Sequence, residues 1–172
     1  MRPWVCFSWD AKQLGGITWS VPPLSIRVAA KDEGDVVLKT ILTAFGLDPT
    51  WSDVHRRLED FMEESVREAF RQSDPPCIVA VHGSRIIGAS LLDPAAASAN
   101  HLVSGPMILH EYRNRGVGSA LLAASLAFIR DRDVPVVRGV TRADSTTARF
   151  VYPKFSGVSA AGEFDPLERA EA

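Results

Sequence analysis

"EYRNRGVGSALL", residues 111–122, sets two arginines, Arg113 and Arg115, and two glycines, Gly116 and Gly118, directly before an apolar helical pattern. The first turn of a helix carries unpaired N–H groups and the positive end of the macrodipole, so a helix mouth cleared of side chains and flanked by positive charge suits an anion. Downstream, Val117, Leu121, Ala124 or Ser125, and Phe128 or Ile129 recur at helical spacing on one buried face. Upstream, "NHLVSGPMILH" reads as a strand interrupted at Gly105-Pro106, and since proline cannot donate to a ladder the pair marks a bulge or an edge. "VPVVRGVT" follows as an apolar β-branched strand, which makes strand, glycine turn, helix and strand a right-handed βαβ unit by default.

Further out the periods alternate. "CIVAVHGSRIIGASLLD" is two β-rich runs about His82-Gly83-Ser84, the pattern of an antiparallel hairpin. Val54, Leu58, Phe61, Met62, Val66, Ala69 and Phe70 trace one apolar helical stripe, which Thr50 would cap and "SDPP" would end. Val37, Ile41, Ala44 and Phe45 mark an earlier helix closed at Gly46, and "LSIRVAA" reads as a short strand before it. Near the start, β-prone runs around Trp4–Trp9 and Ile17–Val21 flank Gly15-Gly16, which suggests a hairpin. "STTARFVYPKF" reads as a shorter helix broken at Pro153.

Bulk properties narrow the function classes. The chain has 172 residues, 46% of them hydrophobic and 23% charged, which fits one globular domain with a sizeable core. A net charge of -2 argues against a nucleic-acid partner, so anion binding has to be local. Cys6 and Cys77 lie far apart with no histidine at metal spacing, which indicates neither a disulfide framework nor a metal site and fits a reducing cytoplasm. No stretch approaches the length of a membrane span, and the early residues lack the apolar core of a signal peptide.

The glycine turn is not a Walker loop, because Ser119 has no preceding lysine, and it lacks the third glycine of a dinucleotide fingerprint, where Leu121 stands. Arg113-x-x-Gly116-x-Gly118 resembles the [QR]-x-x-G-x-[GA] acetyl-CoA signature of the GNAT family of N-acetyltransferases. "MILHEYRNRG" is similar to that family's V-x-P-E-Y-R-G-x-G run, with His110 in place of proline. "STTARFVYPKFSGV" resembles its N-x-x-A-x-x-x-Y-x-K-x-G-F segment through Ala148, Tyr152, Lys154 and Gly157, with Ser145 in place of asparagine and one extra residue before Gly157. The likeness covers residues 26–158.

The resemblance implies an α/β (α+β) fold with a mixed, mostly antiparallel central sheet flanked by helices. It implies acetyl-CoA as cosubstrate, no metal, and a primary amine as acceptor. Carrier-binding residues by resemblance are Ile108, Leu109, Arg113, Asn114, Arg115, Gly116, Val117, Gly118, Ser119 and Ser145. Main-chain N–H groups from about Arg115 to Ser119 would converge on the coenzyme's diphosphate. Acetyl transfer from a thioester to an amine needs a base, an oxyanion donor and a proton for the departing thiolate. The resemblance gives the last role to Tyr152 and the oxyanion to the N–H of Ile108 or Leu109. His101, His110, Glu111, Asp144 and water remain open as the base. A catalytically silent acyl-CoA-binding or regulatory domain is the alternative.

Acceptor specificity is expected from the first two helices, where Trp51, Phe61, Glu63, Glu64 and Glu68 would favour a cationic amine if they faced the pocket. Residues 1–25 read as an N-terminal extension and 26–172 as the acetyltransferase domain. The family pattern fails at the end, where "SAAGEFDPLERAEA" is too polar and broken for two closing strands. The exposed sheet edge calls for a cover, either the tryptophan-rich N-terminal hairpin or a second subunit in a homodimer.

Overall fold

The computed structural model describes residues 3–168. Its central element is the hairpin of β3 (Cys77–His82) and β4 (Arg85–Leu91), antiparallel, with Cys77 opposite Leu91 and His82 opposite Arg85. Successive side chains point to opposite faces. Ile78, Ala80 and Ile87 pack with α4 (Val117–Arg130), while Cys77, Val79 and Leu91 pack with α2 (Gly34–Gly46) and α3 (His55–Ala69). A hairpin covered on both faces has to be apolar throughout, which is why it reads as unbroken hydrophobic runs. β2 (Ser25–Val28) and β5 (Met107–Ile108) flank it, giving the order β2-β3-β4-β5.

In α3 the expected stripe is buried at Leu58, Met62, Val66 and Ala69. Its start differs from the expectation. Val54, with no side-chain cap, stands at its N-cap, and Asp48 instead caps the turn before it, its Oδ1 accepting from the Thr50 N–H at 3.0 Å and the Thr50 hydroxyl at 2.8 Å. Pro49 has no N–H to offer, so the cap serves the next residue, and a 3-10 turn (Pro49–Val54) leads into the helix.

A second sheet has the order β6-β1-β7. β1 (Trp4–Asp10) lies between β6 (Val136–Arg142) and β7 (Val158–Ala161), antiparallel to both, with Trp4 opposite Arg142, Asp10 opposite Val136, and Val5 opposite Ala161. Alternation again decides what is buried, and Val5, Phe7 and Trp9 share the face toward α4. The hairpin expected about Gly15-Gly16 is absent. Both edges of β1 are already paired, so no edge is left for Ile17–Val21, and Asp10 instead caps a single helical turn, α1 (Ala11–Leu14), by accepting from the Lys12 N–H. The polar tail does supply one strand, β7, exposed along its whole length and paired only to β1.

The two sheets meet through residues 100–102. His101 and Leu102 N–H groups donate to the Arg138 carbonyl at 2.8 and 3.2 Å, and Asn100 Oδ1 accepts from the Val140 N–H at 3.0 Å. Leu102 also bridges to Leu92 at the end of β4. Beyond this seam β5 and β6 share no ladder, so the βαβ unit spans two sheets that part. Among the described residues no helix is long and apolar enough to cross a membrane.

Candidate functional site

The parting of the sheets opens a cleft of about 220 Å³. One end is built by the quoted loop. Gly116 stands immediately before α4 at φ +80°, a conformation that side chains disfavour, and Asn114 takes φ +63°, where asparagine is better tolerated than most residues. The first intrahelical bond into this turn runs from the Ala120 N–H to the Gly116 carbonyl at 3.1 Å. The N–H groups of Val117, Gly118 and Ser119 therefore have no helical acceptor, and all three residues line the cleft. Lys154 adds a cation there, its Nζ donating to Ser119 Oγ at 2.5 Å.

Ile108 forms one flank. The Leu109 N–H donates to the Ile87 carbonyl at 2.9 Å, and Gly88 stands opposite Ile108. In an antiparallel ladder the neighbouring pair then points its polar groups away from the partner strand, so the Ile108 N–H faces the gap between the sheets. Of the two sequence candidates for an oxyanion donor, Ile108 is the one left available, and Leu109 is buried and committed to the ladder.

Arg113, Asn114, Gly116, Val117, Gly118 and Ser119 line the cleft with Ile108. Three sequence candidates do not. Besides Leu109, Arg115 lies exposed over the Tyr112 ring at 5.6 Å, and the fully buried Ser145 accepts from the Ala148 N–H at 3.1 Å, where it holds the next helical turn. Arg113 lines the cleft yet its guanidinium donates to the Ala44 carbonyl at 3.4 Å, tying the loop to the end of α2.

Tyr152 follows a π-helical turn (Thr147–Val151) in which its N–H reaches the Thr147 carbonyl at 2.9 Å. Its ring is buried edge-on against Phe7 and Trp9, at 5.5 and 5.3 Å between centroids. The phenol end abuts Gly105, where an added Cβ would lie 2.6 Å from the oxygen. Gly105 sits between Ser104 and Pro106, both in the cleft lining, so the missing side chain lets the phenol reach the back of that wall. Tyr152 itself is not a lining residue. Burial raises its pKa, which keeps the phenol protonated.

No sequence candidate for the base lines the cleft. His101 is fully buried at the seam, its Nδ1 accepting from the Arg138 N–H at 2.9 Å and its Nε2 paired with the Ala95 carbonyl at 3.1 Å; burial lowers its pKa. That arrangement is a neutral imidazole with both nitrogens engaged. Glu111 is exposed and pairs with Arg85 at 3.4 Å, and His110 and Asp144 are exposed. Neither cysteine lines the cleft, and burial pushes the Cys77 thiol up to about 12.

The cleft lining also carries Phe45, Asp48 and Trp51, the two rings in edge contact at 4.9 Å. Among the described residues Asp48 is the only carboxylate in the lining, and the sequence hid it as a helix cap. Phe61 and Glu68 instead line a separate cavity of about 500 Å³ beside α3, and Glu63 faces a third near Phe70. Glu64 lines none of these cavities. Just behind Trp51, the buried Arg142 guanidinium lies over Trp4 at 4.5 Å and donates to Asp53 at 3.0 Å.

The profile of the acetyltransferase (GNAT) family matches residues 40–157. No curated protein matches the chain. Among solved structures it is similar to a GCN5-related N-acetyltransferase from Sphaerobacter thermophilus, at 19% identity and a TM-score of 0.66 over 93% of this chain and 49% of that one. It is also similar to a GNAT-family acetyltransferase from Colwellia psychrerythraea, at 11% identity and a TM-score of 0.59 over 94% of this chain and 54% of that one. A tandem GNAT protein from the clavulanic acid biosynthesis pathway gives 15% identity and a TM-score of 0.57 over 96% and 55% of the respective chains. At these identities the likeness is one of fold, and the chain spans about half the length of each of these structures.

Proposed function

The chain belongs to the GNAT acetyltransferase family, and from that premise we propose that it moves an acetyl group from acetyl-CoA to a primary amine by direct attack. The observation that carries this reading is the convergence of the Val117, Gly118 and Ser119 N–H groups with Lys154 on one end of a cleft whose flank offers the Ile108 N–H. A diphosphate bound at the helix mouth would meet backbone donors and a cation together. Acetyl-CoA supplies a thioester whose carbonyl carbon is open to an unprotonated amine.

The chain's own residues divide the remaining work. The Ile108 N–H supports the charge that develops on the carbonyl oxygen, and it needs no reorganisation to do so. Tyr152 holds the proton that the departing sulfur takes as the C–S bond breaks and the C–N bond forms. The proton lost by the attacking nitrogen goes to water, since none of His101, His110, Glu111 and Asp144 is among the residues lining the cleft. Asp48, Phe45 and Trp51 in the lining offer an acceptor an aromatic wall and one negative charge, which supports a cationic amine with an apolar body.

A thermal-shift panel of acetyl-CoA, coenzyme A, ATP and NAD tests the carrier. Ligand at a hundred times its Kd stabilises by about 2.7 kcal/mol, and the two coenzyme A ligands alone are expected to do so. Equal shifts from ATP and NAD contradict the assignment. The absence of Tyr152 from the lining favours one second reading, a silent carrier-binding domain. Thiol release measured across a panel of amines separates the two, and Tyr152→Phe then reads the phenol directly: a fall of about a hundredfold or more marks a proton donor, and unchanged release marks a packing residue.

A further inference from the structure

Beside the helix mouth, the irregular segment after α1 leaves a shallow groove of about 450 Å³ against Phe155 and Ser156. Trp19 forms its wall and remains 45% exposed although three neighbours fix it. Its indole meets Phe155 edge-on at 5.9 Å, Lys154 Nζ lies 5.3 Å from its ring centroid, and its Nε1 is 3.4 Å from where a Gly116 Cβ would stand. The segment is anchored as well, because the Arg130 guanidinium near the end of α4 donates to the Gly15 carbonyl. Phe155 and Ser156 both adopt left-handed backbone, at φ 60° and 65°. Consecutive non-glycine residues in that region cost free energy and cluster at ligand clamps.

Lys154 links this groove to the cleft, since the same ammonium touches Ser119 Oγ and the Trp19 ring. A ligand whose diphosphate occupies the helix mouth therefore meets, on its nucleotide side, a rigid indole bordered by positive charge. Gln13, Thr18 and Ser156 add hydrogen-bonding side chains to the same groove. We infer that Trp19 and this groove form the seat of the carrier's adenine, with the indole as stacking surface. This rests on the acyl-carrier reading of the cleft. It assigns to the N-terminal segment a part in choosing coenzyme A over carriers that end at phosphopantetheine.

Calorimetric titration of the wild type, Trp19→Ala and Trp19→Phe with coenzyme A and with 4′-phosphopantetheine tests the assignment. Base-on-aromatic stacking lost to alanine corresponds to a roughly fivefold to hundredfold rise in Kd. That rise is expected for coenzyme A with Trp19→Ala, while phosphopantetheine changes less than about twofold and Trp19→Phe retains most of the affinity. Thr18→Glu provides an independent check, because its exposed new charge should repel the adenosine bisphosphate and spare phosphopantetheine. Equal losses for both ligands make Trp19 a brace for the loop and overturn the adenine seat, as does no loss for either. A wild type that binds phosphopantetheine but gains nothing from the adenosine half overturns the seat and leaves the acyl-carrier reading standing. Binding of neither ligand overturns both.

Discussion

The sheet β2-β3-β4-β5 and the sheet β6-β1-β7 differ in how far apart in the chain their partners lie. In the first, β3 and β4 are joined by a two-residue turn and β5 follows after one long loop. In the second, Val5 pairs with Thr141 on one side and Ala161 on the other. Local pairing makes β3, β4 and β5 a scaffold that its own residues specify, and only β2 joins it from a distance, Ile26 standing opposite Ala80. The second sheet brings β6 and β7, from the later part of the chain, onto either side of the N-terminal β1, and the site depends on it, because Phe7 and Trp9 back Tyr152 and the Trp9 indole donates to the Lys154 carbonyl at 3.0 Å.

The largest expected effect comes from breaking the second sheet's core. Trp9→Ala should cost about 3–5 kcal/mol and weaken carrier binding as well, since it releases Tyr152 and Lys154 together. Met62→Ala in α3, on the other side of the scaffold, should cost about 2–5 kcal/mol and leave the carrier Kd unchanged. Urea denaturation and titration of both variants check the contrast, and equal effects on binding would erase it.

Gly105→Ala acts where the wall of the cleft meets Tyr152. A methyl group 2.6 Å from the phenol oxygen forces the ring back, at a cost of about 1–3 kcal/mol in stability, and acyl transfer should fall by about a hundredfold. Steady-state rates at saturating coenzyme read this loss. Lys154→Met removes one charge from the helix mouth and should raise the carrier Kd roughly tenfold, with a weaker dependence on salt than the wild type shows. Titrations at low and high ionic strength compare the two.

The smallest effect belongs to the seam. Burial lowers the pKa of His101 in the folded chain below its ordinary 6.5, so below that pH the unfolded chain binds more protons. Stability should therefore fall as pH drops through about 6.5, and His101→Gln, less stable overall, should flatten that slope. Denaturant midpoints on either side of that pH report it.

The same contrast explains what the sequence could show. The β3–β4 hairpin, the α3 stripe and the glycine turn before α4 are local patterns, and each falls where its residues indicate. The place of β1 was not legible, because its partners lie more than a hundred residues away and nothing within Trp4–Asp10 names them. Ile17–Val21 has strand propensity but no free edge to join, a fact of tertiary pairing alone. β7 looks like loop because both its faces are exposed.

Within the cleft, the loop from Arg113 to Ser119 could be read from its glycines and charges, while the ladder that separates Ile108 from Leu109 could not. Ser145 and Arg115 stand outside the lining, as a buried cap and an exposed stacking contact, and such roles use the same residue types as an anion site. Lys154 had a signal in the Tyr152-x-Lys154 spacing, but its role emerges only when the chain folds back to Ser119.

Crystals grown with acetyl-CoA, or a non-hydrolysable thioether analogue, would show whether the helix mouth and Ile108 hold the carrier. The diphosphate is expected on the N–H groups of residues 117–119 and the acyl oxygen within hydrogen-bonding distance, about 3 Å, of the Ile108 nitrogen. A carrier bound elsewhere, or one whose acyl oxygen turns away from Ile108, would contradict it.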